Sequence, residues 1–97
     1  MTKKGYWVGC YRRVADAKAL ESYSALAGPA IEAAGGRFLS RGIAAEAHEA
    51  GIVERTVIVE FDSLKKAKAA YVTEAYRKAI QAMEGKVERD FRILEGI

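Results

Sequence analysis

Polar side chains interrupt several otherwise apolar segments of this chain, and they are its clearest candidates for chemistry. Glu60 lies in a run rich in valine, where a buried carboxylate needs a partner. Arg41 is the predicted partner, because the two segments are expected to be neighbouring strands of a hairpin. Three tyrosines occupy apolar-stripe positions of predicted helices. The predicted ligand-binding set is Tyr23, Arg41, Glu60, Tyr71 and Tyr76.

Each member of this set also has a structural interpretation. A pair of Glu60 with Arg41 could be an ion pair at the edge of a sheet or dimer, rather than a polar anchor in a cavity. The three tyrosines could pack in the core with their hydroxyl groups at its rim. Both interpretations stay open, and the catalytic residues, if there are any, cannot be identified from the sequence.

No metal site and no cofactor are predicted. His48 is the only histidine and Cys10 the only cysteine, and they lie on different predicted elements. Their spacing therefore resembles no zinc or haem site. His48 is expected to be solvated in a polar connector, and Cys10 to be a small apolar residue of a strand. Gly35 and Gly36 are more typical of the end of a helix than of a phosphate-binding loop.

Short runs dense in β-branched and aromatic residues predict four strands that could position these side chains. The strands are predicted at residues 6–12, 37–42, 55–61 and 90–95. A helix between the first two strands is expected to begin after an Asp16 N-cap and to end at Gly35. Pro29 lies inside this helix and predicts a kink or a short break near Gly28.

The second helical region is expected to consist of two segments. Ser63 can cap its start, and the step of five residues between Tyr71 and Tyr76 breaks the helical phase. Thr73 can cap a new helix at that point. The predicted segments are residues 64–72 and 74–84.

The predicted order is β-α-β-β-α-β, with a hairpin connection at residues 43–54 whose ends extend the neighbouring strands. This order predicts an α+β domain with a ferredoxin-like fold, in which four antiparallel strands carry both helices on one face. A chain of 97 residues has room for one hydrophobic core, so residues 1–97 are predicted to form a single domain.

Both faces of the predicted sheet carry large apolar side chains, although the sequence does not tell which face meets the helices. Alternate residues of a strand point to opposite faces, and in three of the strands both sets contain apolar residues. Exposing one set would forgo several kcal/mol at about 25 cal/mol per Å² of apolar area. A second copy packed on the bare face removes this cost. We therefore expect a homodimer formed through the sheet face.

The composition of the chain indicates whether nucleic acid or membrane partners are expected and in which compartment the protein is located. The 16 basic and 13 acidic residues are interspersed, whereas nucleic-acid binding usually needs a concentrated basic patch. The third strand also lacks the aromatic and glycine-rich signature of RNA-binding sheets, so no nucleic acid is expected. No signal peptide or membrane-spanning run is found, so no membrane association is expected. The single cysteine excludes an internal disulfide, and we expect a cytoplasmic protein.

Four segments of the chain resemble the family described as domain of unknown function 1330. In chain order they are GYWV at residues 5–8, GGRFLSRG at 35–42, VIVEFDS at 57–63 and LEGI at 94–97. The resemblance covers nearly the whole chain and implies a dimeric α+β barrel, in which two ferredoxin-like sheets join. The chain departs from the family's pattern at residues 10–13 and at 70–76, where the family's proline is absent.

We therefore expect a small homodimeric domain that binds or transforms a small organic molecule in a cavity between sheet and helices. The resemblance supports this, because related dimeric barrels include cofactor-free monooxygenases and isomerases, although fold does not determine function. The alternative is a non-catalytic structural or interaction module, which the lack of a recognisable catalytic constellation fits equally well. The sequence does not tell whether the protein is an enzyme.

Overall fold

Four strands and three helices make up the computed structural model, which describes residues 2–97. They are β1 Gly5–Val14, α1 Ala17–Ala33, β2 Arg37–Ile43, β3 Arg55–Phe61, α2 Leu64–Tyr71, α3 Glu74–Met83 and β4 Val87–Glu95. The strands form one sheet in the order β2-β3-β1-β4, and every neighbouring pair is antiparallel. The ferredoxin-like α+β fold is therefore confirmed, with the second predicted helix divided into α2 and α3.

The helix ends follow from local capping. The Asp16 carboxylate accepts hydrogen bonds from the backbone N–H groups of Lys18 and Ala19, at 2.9 and 3.4 Å. The Thr73 hydroxyl accepts one from the N–H of Tyr76 at 3.2 Å, which starts α3 where the helical phase changes. These contacts satisfy donors that have no partner inside the helix, and they confirm both predicted caps.

The predicted break in α1 does not occur, because the helix runs without interruption past Pro29. Proline removes one backbone donor, so the carbonyl of Ala25 loses its partner within the helix. Ala25 and Pro29 are both exposed, and water can satisfy that carbonyl instead. The helix ends at Ala33, and Gly35 follows its C-cap with a φ of 91°, in the left-handed region that glycine adopts at little cost.

The helices cover one face of the sheet, which we call the inner face. Trp7, Val59 and Phe61 point to this face and are almost fully buried. The indole N–H of Trp7 donates a hydrogen bond to the Ala67 carbonyl of α2 at 2.7 Å, which ties the sheet to the helix layer. The core is therefore built around an aromatic residue at the centre of the sheet.

The opposite, outer face carries five half-buried or exposed side chains that are apolar or aromatic. They are Tyr6, Val8, Cys10, Ile58 and Leu94. The molecule measures only 17 Å along its shortest axis, which fits one sheet and one layer of helices. Within residues 2–97, no helix is long and apolar enough to cross a membrane.

Candidate functional site

A cavity lies between α1 and the inner face of the sheet. Its volume of about 30 Å³ has room for about two water molecules. Ala27 and Ile31 of α1 form one wall, and Val57, Val59 and Phe91 of the sheet form the opposite wall. Gly28 of the same helix also lines the cavity, and a Cβ atom placed there would meet nothing within 4 Å. The two facing walls of the cavity are therefore apolar.

Three arginines line this cavity, and each comes from a different strand. Arg41 reaches the cavity from β2, Arg55 reaches it from β3, and Arg89 reaches it from β4. Arg55 is in phase with the buried residues of its strand, and Arg89 lies opposite Tyr11 of β1 on the same face. Alternation along the strands therefore turns cationic side chains toward the interior.

Two tyrosine hydroxyl groups lie beside the innermost arginine. The hydroxyl oxygens of Tyr23 and Tyr76 are 2.6 Å apart and share a hydrogen bond. The Arg89 guanidinium donates to Tyr23 at 3.2 Å and to Tyr76 at 3.4 Å. Its central carbon also lies 4.7 Å from the centre of the Phe91 ring, within the range of a cation–π contact. Arg89 is thus held by neutral groups rather than by a carboxylate.

Burial controls the protonation of these tyrosines. Loss of water raises the pKa of Tyr23, and the nearby Tyr76 hydroxyl raises it further. The pKa values of Tyr76 and Tyr11 are raised as well, again mainly by burial. All three hydroxyl groups are therefore neutral at pH 7, where they can donate hydrogen bonds but cannot serve as strong bases.

The positive charge of the three arginines that line the cavity is not balanced by an acidic side chain. No aspartate or glutamate lines the cavity, and no salt bridge among residues 2–97 involves Arg41, Arg55 or Arg89. The Nε atom of Arg55 is buried and has no hydrogen-bond partner in the described part of the chain. A buried donor without a partner is costly, and proteins normally satisfy it. The arrangement can therefore receive an acceptor from outside the chain.

The structure brings together only some members of the predicted ligand-binding set. Tyr23 and Arg41 line the cavity, and Tyr76 reaches its edge through the Tyr23 hydroxyl. Tyr71 packs in the aromatic core, with its ring centre 5.5 Å from that of Tyr76, and does not line the cavity. Glu60 lies on the outer face of the sheet. The ligand-binding role of the set stays a prediction.

The predicted pairing of Glu60 with Arg41 is wrong. The Glu60 carboxylate instead accepts hydrogen bonds from Arg37, at 3.0 and 3.2 Å, and from the Tyr6 hydroxyl at 2.9 Å. The bond from Tyr6, followed by that from Arg37, lowers the pKa of Glu60. This cluster lies on the outer face, so the structural interpretation of Glu60 as part of a sheet ion pair fits its position.

A β-bulge at Leu39 is the physical reason for this error. Phe38 lies opposite Val59 and Ser40 opposite Ile58, so Leu39 has no partner on β3. The extra residue reverses the alternation of side chains along the rest of β2. As a result Arg41 points to the inner face, away from the outer face that carries Glu60.

Sequence reasoning missed most of the cavity lining, including the polar side chains of Tyr11, Arg55 and Arg89. A signal was present, because Arg55 alternates with Val57, Val59 and Phe61, and Arg89 alternates with Phe91 in the same way. A basic residue in phase with apolar ones is rare on a covered face unless it has a partner. Alternation along the strands therefore places Arg55 and Arg89 on the same face as the buried apolar residues.

The two residues considered for metal binding do not line this cavity. Cys10 is half-buried on the outer face, and His48 forms an exposed hydrogen bond with Glu46. Across residues 2–97, no group of three or more potential ligands is placed to hold a metal ion. The predictions that no metal and no cofactor bind are not tested by this finding.

Comparison with known proteins agrees with the fold. Residues 4–97 match the model of the family Domain of unknown function (DUF1330). No curated protein matches the sequence. A protein of unknown function from Rhodopseudomonas palustris is 18% identical, with a TM-score of 0.74 over 100% of this chain and 85% of that chain.

Two further structures have similar backbones. A dimeric ferredoxin-like protein of unknown function from Thermobifida fusca YX is 12% identical, with a TM-score of 0.67 over 98% of this chain and 92% of that chain. SnoaB, a cofactor-independent oxygenase from Streptomyces nogalater, is 10% identical, with a TM-score of 0.61 over 96% of this chain and 92% of that chain. At these identities the similarity shows the fold alone.

Proposed function

We propose that this chain, which belongs to the family Domain of unknown function (DUF1330), is a homodimeric domain that binds a small organic molecule in the cavity beneath α1. The cavity carries the proposal. It combines apolar walls with a few converging polar groups, which is the composition typical of small-molecule sites. Whether the bound molecule is also transformed depends on chemistry that the site residues do not identify.

Gly28 supports the proposal from the helix side. Glycine is unfavourable inside a helix by about 1 kcal/mol relative to alanine, yet here it lies in the middle of α1 against the cavity. A side chain at this position would meet open space rather than a neighbouring atom. The glycine therefore keeps the cavity open at a cost in helix stability, which fits a site kept free for a ligand.

The outer face of the sheet supports the homodimer. Val8 and Ile58 lie opposite each other on the two central strands, and Leu94 is 48% exposed. Apolar area on a flat, bare sheet favours association with an identical face. The Thermobifida relative is described as dimeric, which is a statement about that protein and agrees with this part of the proposal.

Gly28→Leu tests the ligand site, because a leucine side chain would fill the cavity. A library of small aromatic molecules and lactones is screened for compounds that raise the melting temperature of the wild-type protein. We expect the active compounds to lose their effect on Gly28→Leu and to keep it on the control Gly28→Ala, whose methyl group is too short to fill the space. Failure of every compound, or equal effects on Gly28→Leu, would contradict the proposal.

A non-catalytic structural or interaction module is the second candidate function. The observation that favours it is the small volume of the cavity, about 30 Å³, beside a core in which Trp7, Phe61 and Tyr76 are at most 2% exposed. If this alternative holds, Gly28→Leu stabilises the protein by filling space and no library compound raises the melting temperature of the wild type.

A further inference from the structure

We propose that the ligand of this cavity is a small organic acid, whose carboxylate is held by Arg55 and Arg89 while its apolar part lies against Phe38 and Val57, next to Arg41 at the opening. This inference rests on the proposed function, since it assigns a chemical class to the same site. It follows from the presence of three cationic side chains on the lining of one cavity without an acidic partner.

Charge balance is the first step of the argument. An arginine side chain carries a positive charge and hydrogen-bond donors but no acceptor, and three of them line this cavity. Cation–π contacts stabilise two of these cations, since Arg41 lies 4.4 Å from the Phe38 ring centre and Arg89 lies 5.1 Å from that of Tyr23. These contacts provide no hydrogen-bond acceptor, and only an anion supplies both charge and acceptors.

The buried Nε atom of Arg55 is the second step. It donates to no acceptor within the described chain, although it is shielded from solvent. A guanidinium presents paired N–H groups in a fixed plane, which match the two oxygens of a carboxylate. A carboxylate between Arg55 and Arg89 would satisfy this donor, and the neutral Tyr23 hydroxyl beside it could donate a further bond.

The shape of the cavity favours an organic acid over an inorganic anion. The cavity volume of about 30 Å³, which has room for about two water molecules, leaves space for little more than a carboxylate group, so the rest of a ligand must extend toward the opening. Arg41 is the exposed part of the lining and therefore marks that opening. Phe38 and Val57 beside it are apolar, and they would contact a hydrocarbon or a ring rather than a hydrated ion.

Calorimetry with matched probes tests the inference. The full-length wild-type chain is titrated with benzoate, phenylacetate and hexanoate, with the primary amide of each, and with inorganic phosphate. We expect at least one carboxylate to bind at least about tenfold more tightly than its amide and than phosphate. Equal affinity for acids and amides would overturn the anion inference and leave the small-molecule site standing. Tighter binding of phosphate would overturn the organic acid, and binding of no probe would contradict both proposals.

Arg55→Met separates a binding role from a structural one. Methionine keeps much of the apolar stem and removes a guanidinium whose buried Nε atom has no acceptor, so the free energy of unfolding should not fall. We expect affinity for the carboxylate to drop at least about tenfold, with affinity for the amide unchanged. Arg77→Met, on the exposed side of α3, is the matched control and should bind like the wild type. Loss of stability without loss of carboxylate affinity would assign Arg55 to packing instead.

Discussion

The contact between the hydroxyl groups of Tyr23 and Tyr76 shows how this interior treats polar atoms. Each hydroxyl is buried, and each finds the other together with the Arg89 guanidinium. A hydroxyl removed from water without a partner would cost several kcal/mol in an apolar medium, so pairing is what allows two tyrosines to lie there. The same rule makes the unpartnered Arg55 Nε atom an exception within the described residues.

Tyr76→Phe should lower the free energy of unfolding by about 1 kcal/mol, because it removes a buried hydrogen bond and leaves the ring in place. Urea unfolding of both proteins measures the change. Tyr71→Phe is the matched control, since the Tyr71 hydroxyl makes no hydrogen bond within the described chain, and it should change stability by less than about 0.5 kcal/mol. Equal effects of the two substitutions would show that the buried hydroxyl contact contributes nothing.

Glu60 should make the free energy of unfolding depend on pH in the acid range. Its pKa is lowered from 4.5 by the Tyr6 hydroxyl and then by Arg37, so the contribution is complete above about pH 4.5 and is lost as the pH falls through the lowered pKa. Glu60→Gln should therefore be less stable than the wild type at pH 7, and the difference should shrink toward pH 3. Urea unfolding at both pH values measures it. The exposed Glu74→Gln is the control, and a similar pH-dependent loss there would contradict the assignment.

Secondary-structure elements were predicted well wherever the signal is local. Asp16, Ser63 and Thr73 cap the helices as expected, because each satisfies backbone donors within three residues of itself. The direction of Arg41 could not be predicted, because a β-bulge depends on how β2 pairs with another strand and has no signature in the residues around Leu39. The site was predicted less completely than the fold for this reason.

The helix α1 should gain stability from a methyl group at its centre. Gly28→Ala is expected to raise the free energy of unfolding by about 0.5–1 kcal/mol, because alanine restricts the unfolded chain and its Cβ would meet no atom within 4 Å. Thermal and urea unfolding measure the change. Gly36→Ala is the contrasting control, since its Cβ would approach Ile31 Cγ2 to 2.6 Å, and it should destabilise the protein. A destabilised Gly28→Ala would mean that the cavity wall is closed at this point.

At the scale of the whole molecule, the two faces of the sheet serve different purposes. The inner face carries the core and the arginine-lined cavity, whereas the outer face carries an ion-pair cluster around Glu60 next to apolar residues such as Val8. Because the molecule is only 17 Å thick, nothing within it separates these two faces except the sheet itself. A dimer formed through the outer face would therefore leave the opening at Arg41 on the other side of the sheet.

Val8→Lys should shift the proposed homodimer toward a monomer, because it places a charge at the centre of the outer face where association would bury it. Light scattering after size-exclusion chromatography measures the mass at micromolar concentration, and circular dichroism checks the fold. Val72→Lys, at an exposed position after α2, is the control and should not change the mass. A wild-type protein that is already monomeric would contradict the proposed dimer.

The bulge at Leu39 has a consequence for how such a chain can diversify. Phe38 and Ser40 already lie opposite successive residues of β3, so the loss of Leu39 would close the bulge and leave Arg41 opposite Val57, still turned to the interior. The edge strand can therefore change in length by one residue at this point without moving a cation from one face of the sheet to the other. Relatives with the same fold can carry an inward arginine either two or three positions after the residue that corresponds to Phe38.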